Sequence, residues 1–162
     1  MQTLSKVLSP GLRLGYVRAP ASLRGPLAVA KQAADLHSST INQLGASMWL
    51  ERHDLGAHIA SLAAHYRPRR DALLAALSEH LPAGSTMTRP EGGLFIWVEL
   101  PAGYDAEAVL ARALERGVAF VPGKYFYAGE PDPRTLRVSF ATATVAELHE
   151  GAARLGAAIA AA

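Results

Sequence analysis

Four side chains near the start of the chain have types and spacing suited to one kind of chemistry. Thr3, Ser5, Lys6 and Arg13 lie in the run Thr3-Leu4-Ser5-Lys6-Val7-Leu8-Ser9-Pro10-Gly11-Leu12-Arg13-Leu14-Gly15-Tyr16. A lysine amine attacks an aldehyde carbon to form an imine, provided part of it is neutral. A fixed guanidinium nearby binds a phosphate through its planar fork and also disfavours a proton on the amine. The hydroxyls of Thr3 and Ser5 can share the phosphate oxygens. Pro10 fixes a turn, and Gly11 lets the backbone approach closely. A lysine, an arginine and hydroxyls converging on a phosphorylated aldehyde is what pyridoxal 5'-phosphate requires. The Thr3-x-x-Lys6 spacing also fits a hydroxyl nucleophile with a lysine base, as in Ser-x-x-Lys hydrolases, but Arg13 has no role there.

A second cation stands far along the chain, in Leu136-Arg137-Val138-Ser139-Phe140-Ala141. As a strand, this run puts Arg137 and Ser139 on one face and apolar residues on the other. Read alone, it is an edge strand with its arginine in solvent.

The elements that must carry these residues follow from periodicity and punctuation. Residues 12–18 read as a strand. Residues 22–36 read as a helix, with Ser22 as N-cap and Gly25-Pro26 disturbing the first turn. A second helix covers 39–51. Residues 54–80 form a long helical pattern, with Leu55, Ile59, Leu62, Tyr66, Leu73 and Leu77 at helical spacings and Pro68 expected to kink or split it. Leu94 to Val98 is a short strand between Gly92-Gly93 and Pro101. A helix over 105–116 closes at Gly117. Residues 118–121 and 135–140 are strands. The final helix spans 143–160, with Thr144 as N-cap and Glu147 three residues on.

Composition narrows the function classes. Of 162 residues half are hydrophobic, enough for a core, and the formal net charge is +2. The cations are scattered, with Arg67, Arg69 and Arg70 the one tight cluster, which reads as a solvated helix face and not as a nucleic-acid stripe. No cysteine is present, which excludes disulfides, thiolate zinc sites and a cysteine nucleophile. The six histidines show no metal-ligand spacing, so no metal is expected. No apolar run reaches membrane-spanning length and no signal peptide is visible, so the expected location is the cytoplasm.

The first run resembles the cofactor-lysine motif of the fold-type I, class I/II aminotransferases: Ser/Thr-x-Ser-Lys, then Pro-Gly, then Arg-x-Gly-Tyr. Leu136 to Ala141 resembles that family's late arginine strand. Arg89-Pro90-Glu91-Gly92-Gly93-Leu94-Phe95-Ile96-Trp97-Val98-Glu99-Leu100-Pro101 resembles its Pro-x-Gly-Gly-Met-Phe-x-Trp segment, with Leu94 in place of Met. Gly117 to Gly123, followed by Phe126-Tyr127, resembles the strand and turn before the arginine strand. The run from Lys31 to Gln43 is similar to the branch that contains the 2-aminoadipate aminotransferases.

The resemblance implies an α/β fold: the end of a large cofactor-binding domain and an interdomain helix over 1–70, then a small α/β domain over 71–162. It implies that Lys6 joins the cofactor and later shuttles a proton at the substrate α-carbon. Thr3, Ser5 and Arg13 hold the phosphate, Arg137 clamps the substrate carboxylate, and the substrates are an amino acid and a 2-oxo acid. It also implies a homodimer in the full-length protein, with Ser38, Ser39 or Thr40 near the other subunit's phosphate. Trp97, Phe120 and Phe126 read as core residues. The resemblance covers the C-terminal part of the family, and the strand that carries the lysine is cut to Met1-Gln2-Thr3-Leu4. The chain alone is therefore expected to bind cofactor weakly, to lack catalysis and to expose an apolar sheet edge. MocR-type regulators of the GntR class, which join a winged helix to an aminotransferase-like domain, are the alternative, and their helix resembles His53 to Arg70.

Overall fold

The computed structural model describes residues 2–162. The chain divides into two compact units, one running to Leu62 and the other from Ala63 to Ala162.

In the first unit, β1 (Gln2–Thr3) pairs antiparallel with β2 (Gly15–Tyr16), with Gln2 opposite Tyr16 and Thr3 opposite Gly15. Met1, expected in the same strand, lies outside the described residues. The strand expected over 12–18 shrinks to two residues. Pro10–Leu12 is instead a 3-10 turn, closed by the Leu12 N–H on the Ser9 carbonyl, and Arg13 is left-handed at φ 52°. Helix α1 (Ala21–Asp35) starts after Pro20 with no side-chain cap, so Ser22 is not the N-cap. Pro26 lies inside it. Helix α2 (Thr40–Arg52) is capped by the Ser39 hydroxyl, which accepts from the Asn42 N–H. Among this unit's described apolar side chains only Leu14 and Ala46 are buried.

Helix α3 (Leu55–His80) runs unbroken through Pro68, which does not split it. Asp54 starts it by accepting from the N–H groups of Gly56 and Ala57, at 2.7 and 3.2 Å. Beyond the proline, Leu73, Leu74, Ala76 and Leu77 are buried, and that packing offsets the backbone hydrogen bond a proline removes.

The second unit is built on an antiparallel sheet ordered β3-β4-β6-β5: β3 (Thr86–Met87), β4 (Phe95–Glu99), β5 (Val121–Pro122) and β6 (Thr135–Ser139). β3 is too short to give a period-2 signal. Alternation along β4 and β6 sends Ile96, Val98 and Leu136 into the core with α3 residues, α4 (Ala106–Glu115) and α5 (Val145–Ala160). The opposite face carries Phe95, Trp97, Arg137 and Ser139.

Two helix ends follow the sequence closely. Thr144 and Glu147 form a reciprocal capping box at the start of α5. Gly117, at φ 72°, ends α4: the Val118 N–H bonds the Ala113 carbonyl and the Gly117 N–H bonds that of Leu114. The Val118 N–H is thus engaged in the helix end, and the strand expected at 118 begins at Val121. No helix among the described residues is long and apolar enough to cross a membrane.

Candidate functional site

Lys6 lies in the turn between β1 and the Pro10–Leu12 segment. The carbonyl of Leu4 accepts from the N–H groups of Leu8 and Ser9, at 2.8 and 3.2 Å, which winds residues 5–8 into one tight turn. The turn is fastened to the residue before β2 by the Leu4 N–H on the Leu14 carbonyl at 2.9 Å. Lys6 is exposed.

Arg13 comes back to this turn. One of its terminal guanidinium nitrogens donates to the Ser5 hydroxyl at 3.4 Å and to the Pro10 carbonyl at 3.3 Å. The left-handed backbone at Arg13 turns the chain between the 3-10 turn and β2. Ser5 and Arg13 are therefore brought together beside Lys6, within one hairpin. Thr3 is used differently. Its hydroxyl donates to the Leu14 carbonyl at 3.3 Å and accepts from the Ser5 N–H at 3.2 Å, so it braces the loop. Ser39 is occupied as the α2 cap, and the Ser38 carbonyl accepts from Gln43 at 2.9 Å.

Sequence reasoning passed over the role of Asn42. Its side-chain amide donates to the Leu12 carbonyl at 3.1 Å, tying α2 to the residue just before Arg13. The bond spans thirty positions, so no local pattern announces it.

In the second unit Arg137 stands opposite Trp97 on β4 and Val121 on β5. It is in the interior of the sheet, not at an edge. Its guanidinium lies over the ring of Phe95 at 4.1 Å and over that of Phe126 at 4.3 Å. Its Nε is buried and has no hydrogen-bond partner among the described residues. Two rings on the faces leave the edges of the fork for a planar anion. Phe126 is not the core residue expected. It is 48% exposed, it meets Trp97 edge-on at 5.8 Å, and it caps the guanidinium. Phe120 is in the core, and Trp97 is half-buried.

Comparison with known proteins gives the family and the fold. A family model for aminotransferase class I and II matches residues 1–155. The chain is 40% identical over 153 residues to aromatic-amino-acid aminotransferase 1 of Thermococcus litoralis, covering 94% of this chain and 37% of that protein. It matches the crystal structure of LysN, the α-aminoadipate aminotransferase of Thermus thermophilus, complexed with N-(5'-phosphopyridoxyl)-L-leucine. That match has a TM-score of 0.90 at 41% identity and covers 98% of this chain and 41% of the other. A more distant relative is YdfD of Bacillus subtilis, an uncharacterized HTH-type transcriptional regulator, 31% identical over 154 residues, or 95% of this chain and 32% of that one. Over the part it covers, the chain has the α/β fold of the fold-type I transferases. It belongs to the class I and II aminotransferase family. It spans about two-fifths of the length of the curated relatives it matches.

Proposed function

We propose that the chain is the lysine-bearing, C-terminal part of a pyridoxal 5'-phosphate-dependent aminotransferase that moves an amino group between an amino acid and a 2-oxo acid. The observation that carries this reading is the meeting of Ser5 and Arg13 beside Lys6 in one hairpin. The donor set fits the cofactor's phosphate. Arg13 offers a fixed charge, and Ser5, which accepts from Arg13, keeps its own O–H to donate. Lys6, next to Ser5 in the chain, brings an amine that suits the aldehyde. When bound, the cofactor supplies an electron sink for the substrate's α-carbon.

The chain's residues supply the rest. Arg13 and Ser5 hold the anionic tail and so fix where the aldehyde end sits relative to Lys6. Lys6 would take the proton from the substrate Cα as a base and, once protonated, give it up again as an acid. Thr3 braces the hairpin, and Asn42 steadies the carbonyl before Arg13. Arg137 grips the substrate α-carboxylate with its edge while the two rings fix its plane. The reading brings with it a homodimer in the full-length protein and a cytoplasmic location, checked by sedimentation and by cell fractionation. On this reading, the chain by itself binds cofactor weakly and does not catalyse.

Borohydride trapping of the complete protein with pyridoxal phosphate, followed by peptide mass spectrometry, tests the site. The pyridoxyl mass is expected on Lys6. Replacing Arg13 with alanine is expected to weaken cofactor binding by roughly 10- to 100-fold, the size of a charge-assisted contact. Labelling at Lys31 or Lys124 in place of Lys6 overturns the reading. The similarity to YdfD supports a second reading, the effector domain of a MocR/GntR-type regulator. Steady transamination of 2-oxoglutarate by the complete protein decides for the enzyme.

A further inference from the structure

The segment that carries Phe126 is fastened by a set of side chains that the reading above leaves unused. Phe126 ends a 3-10 turn (Gly123–Phe126) that follows directly on β5. Gly123 sets one end of the turn. A Cβ there would stand 2.8 Å from the Trp97 ring and 2.7 Å from the Thr135 Cβ, so only glycine lets the turn lie against β4 and β6. The next two residues reach across to α4. Lys124 Nζ pairs with Glu107 Oε2 at 2.5 Å, and the Tyr125 hydroxyl donates to Glu107 Oε1 at 2.8 Å. One carboxylate thus holds two consecutive side chains. The residue after them is the ring that lies on Arg137.

We propose that Glu107 is a positioning residue for Arg137, acting through Lys124 and Tyr125 to hold the 3-10 turn so that Phe126 stays stacked on the guanidinium. The claim rests on the reading of Arg137 as the carboxylate anchor. The Arg137 Nε is buried and unpartnered among the described residues, so the fork keeps its direction by stacking and not by hydrogen bonds. Phe95 lies on a central strand paired to β6 along its length and cannot easily shift. Phe126 lies outside the sheet and is half exposed, and its place depends on the turn. Both partners of the clamp are charged at neutral pH: the hydrogen bond from Lys124 holds the Glu107 carboxyl below its usual range, and Glu107 raises Lys124 in turn.

The test uses the complete protein that carries this chain, labelled with ¹⁵N-arginine. In the parent protein the Arg137 Nε–H resonance is expected to be displaced by the two rings and slow to exchange. Glu107→Lys is expected to move that resonance toward the ordinary arginine position and to raise the amino-acid KM about 2- to 5-fold, the scale of an exposed ion pair, with little change in kcat. Adding Lys124→Glu restores a pair of reversed sign and is expected to bring both readouts back most of the way. Phe126→Ala removes the ring itself and is expected to raise KM about 10-fold. An unmoved resonance and KM in Glu107→Lys overturn the inference. So does a change that the reversed pair does not rescue while circular dichroism shows the fold intact. Arg137→Leu separates the two claims. A KM unchanged in that variant overturns the anchoring reading and this inference with it, whereas a raised KM there beside an unchanged one in Glu107→Lys overturns the inference alone.

Discussion

The two units hold Arg13 and Arg137, the two candidate anion-binding arginines, by different means. Around Arg137 the sheet is backed by a continuous apolar cluster in which Leu77, Ile96, Val98, Val109 and Leu136 have no exposed surface. Around Arg13 only Leu14 and Ala46 are buried among the unit's described apolar side chains, while Leu23, Leu27, Val29, Leu36, Ile41, Leu44 and Met48 are exposed in this stretch, which spans about two-fifths of its relatives' length. The Lys6 hairpin keeps its shape through backbone and side-chain hydrogen bonds: Leu4 to Leu14, Thr3 to Leu14, Asn42 to Leu12. Packing sets one site and polar turn chemistry the other. The difference teaches that within this stretch the Arg137 strand rests on apolar packing, whereas the Arg13 hairpin rests on hydrogen bonds, one of them reaching it from thirty positions away.

The largest effect expected from this contrast is on core truncation. Leu136→Ala should cost about 2–5 kcal/mol in urea unfolding, because a fully buried leucine leaves a cavity. Leu27→Ala on α1 should stay within about 0.5 kcal/mol, since that side chain is 44% exposed. Equal losses at the two positions would erase the comparison.

Helix caps sharpen it at a smaller scale. Thr144→Ala breaks a reciprocal box in the packed unit and should lower stability by about 1 kcal/mol. Ser39→Ala removes a single long bond of 3.4 Å and should be felt as local fraying of α2, read by amide exchange, more than as a shift in global unfolding.

The smallest effect is on the acid limb. Arg134 holds the Asp132 carboxyl below its usual range through a side-chain hydrogen bond, and the Thr144 backbone N–H does the same for Glu147. Both folded values lie below the unfolded ones. The stabilisation is therefore full above the ordinary carboxylate range and is lost as pH falls through the lowered values. Asp132→Asn should flatten the decline in urea midpoint on going from about pH 5 to about pH 3. An unchanged slope would show that the second unit's acid sensitivity lies elsewhere.

Much of this was legible in the residues. Thr144 with Glu147, Gly117 after α4, and the alternation of β6 each signal through neighbours in sequence, and each is found in place. The Lys6 motif was legible as residue types at fixed spacing, and its hairpin brings Ser5 to Arg13. What escaped lies in long-range or competing contacts. Pro68 should break a helix, yet burial beyond it carries α3 through. Phe126 is aromatic and reads as core, but its partner is a cation on the next element, eleven positions on. The Glu107 carboxylate meets Lys124 and Tyr125 across a gap in sequence that no period marks.

The left-handed backbone at Arg13 has one more consequence. A side chain in that region costs about 1 kcal/mol or more relative to glycine, so the turn and the guanidinium ask for different residues. Arg13→Gly relieves that strain but removes the guanidinium bonds to Ser5 and Pro10 and, on the proposed reading, the hold on an anion. On the proposed reading, that strain is what it costs to put a guanidinium on this loop.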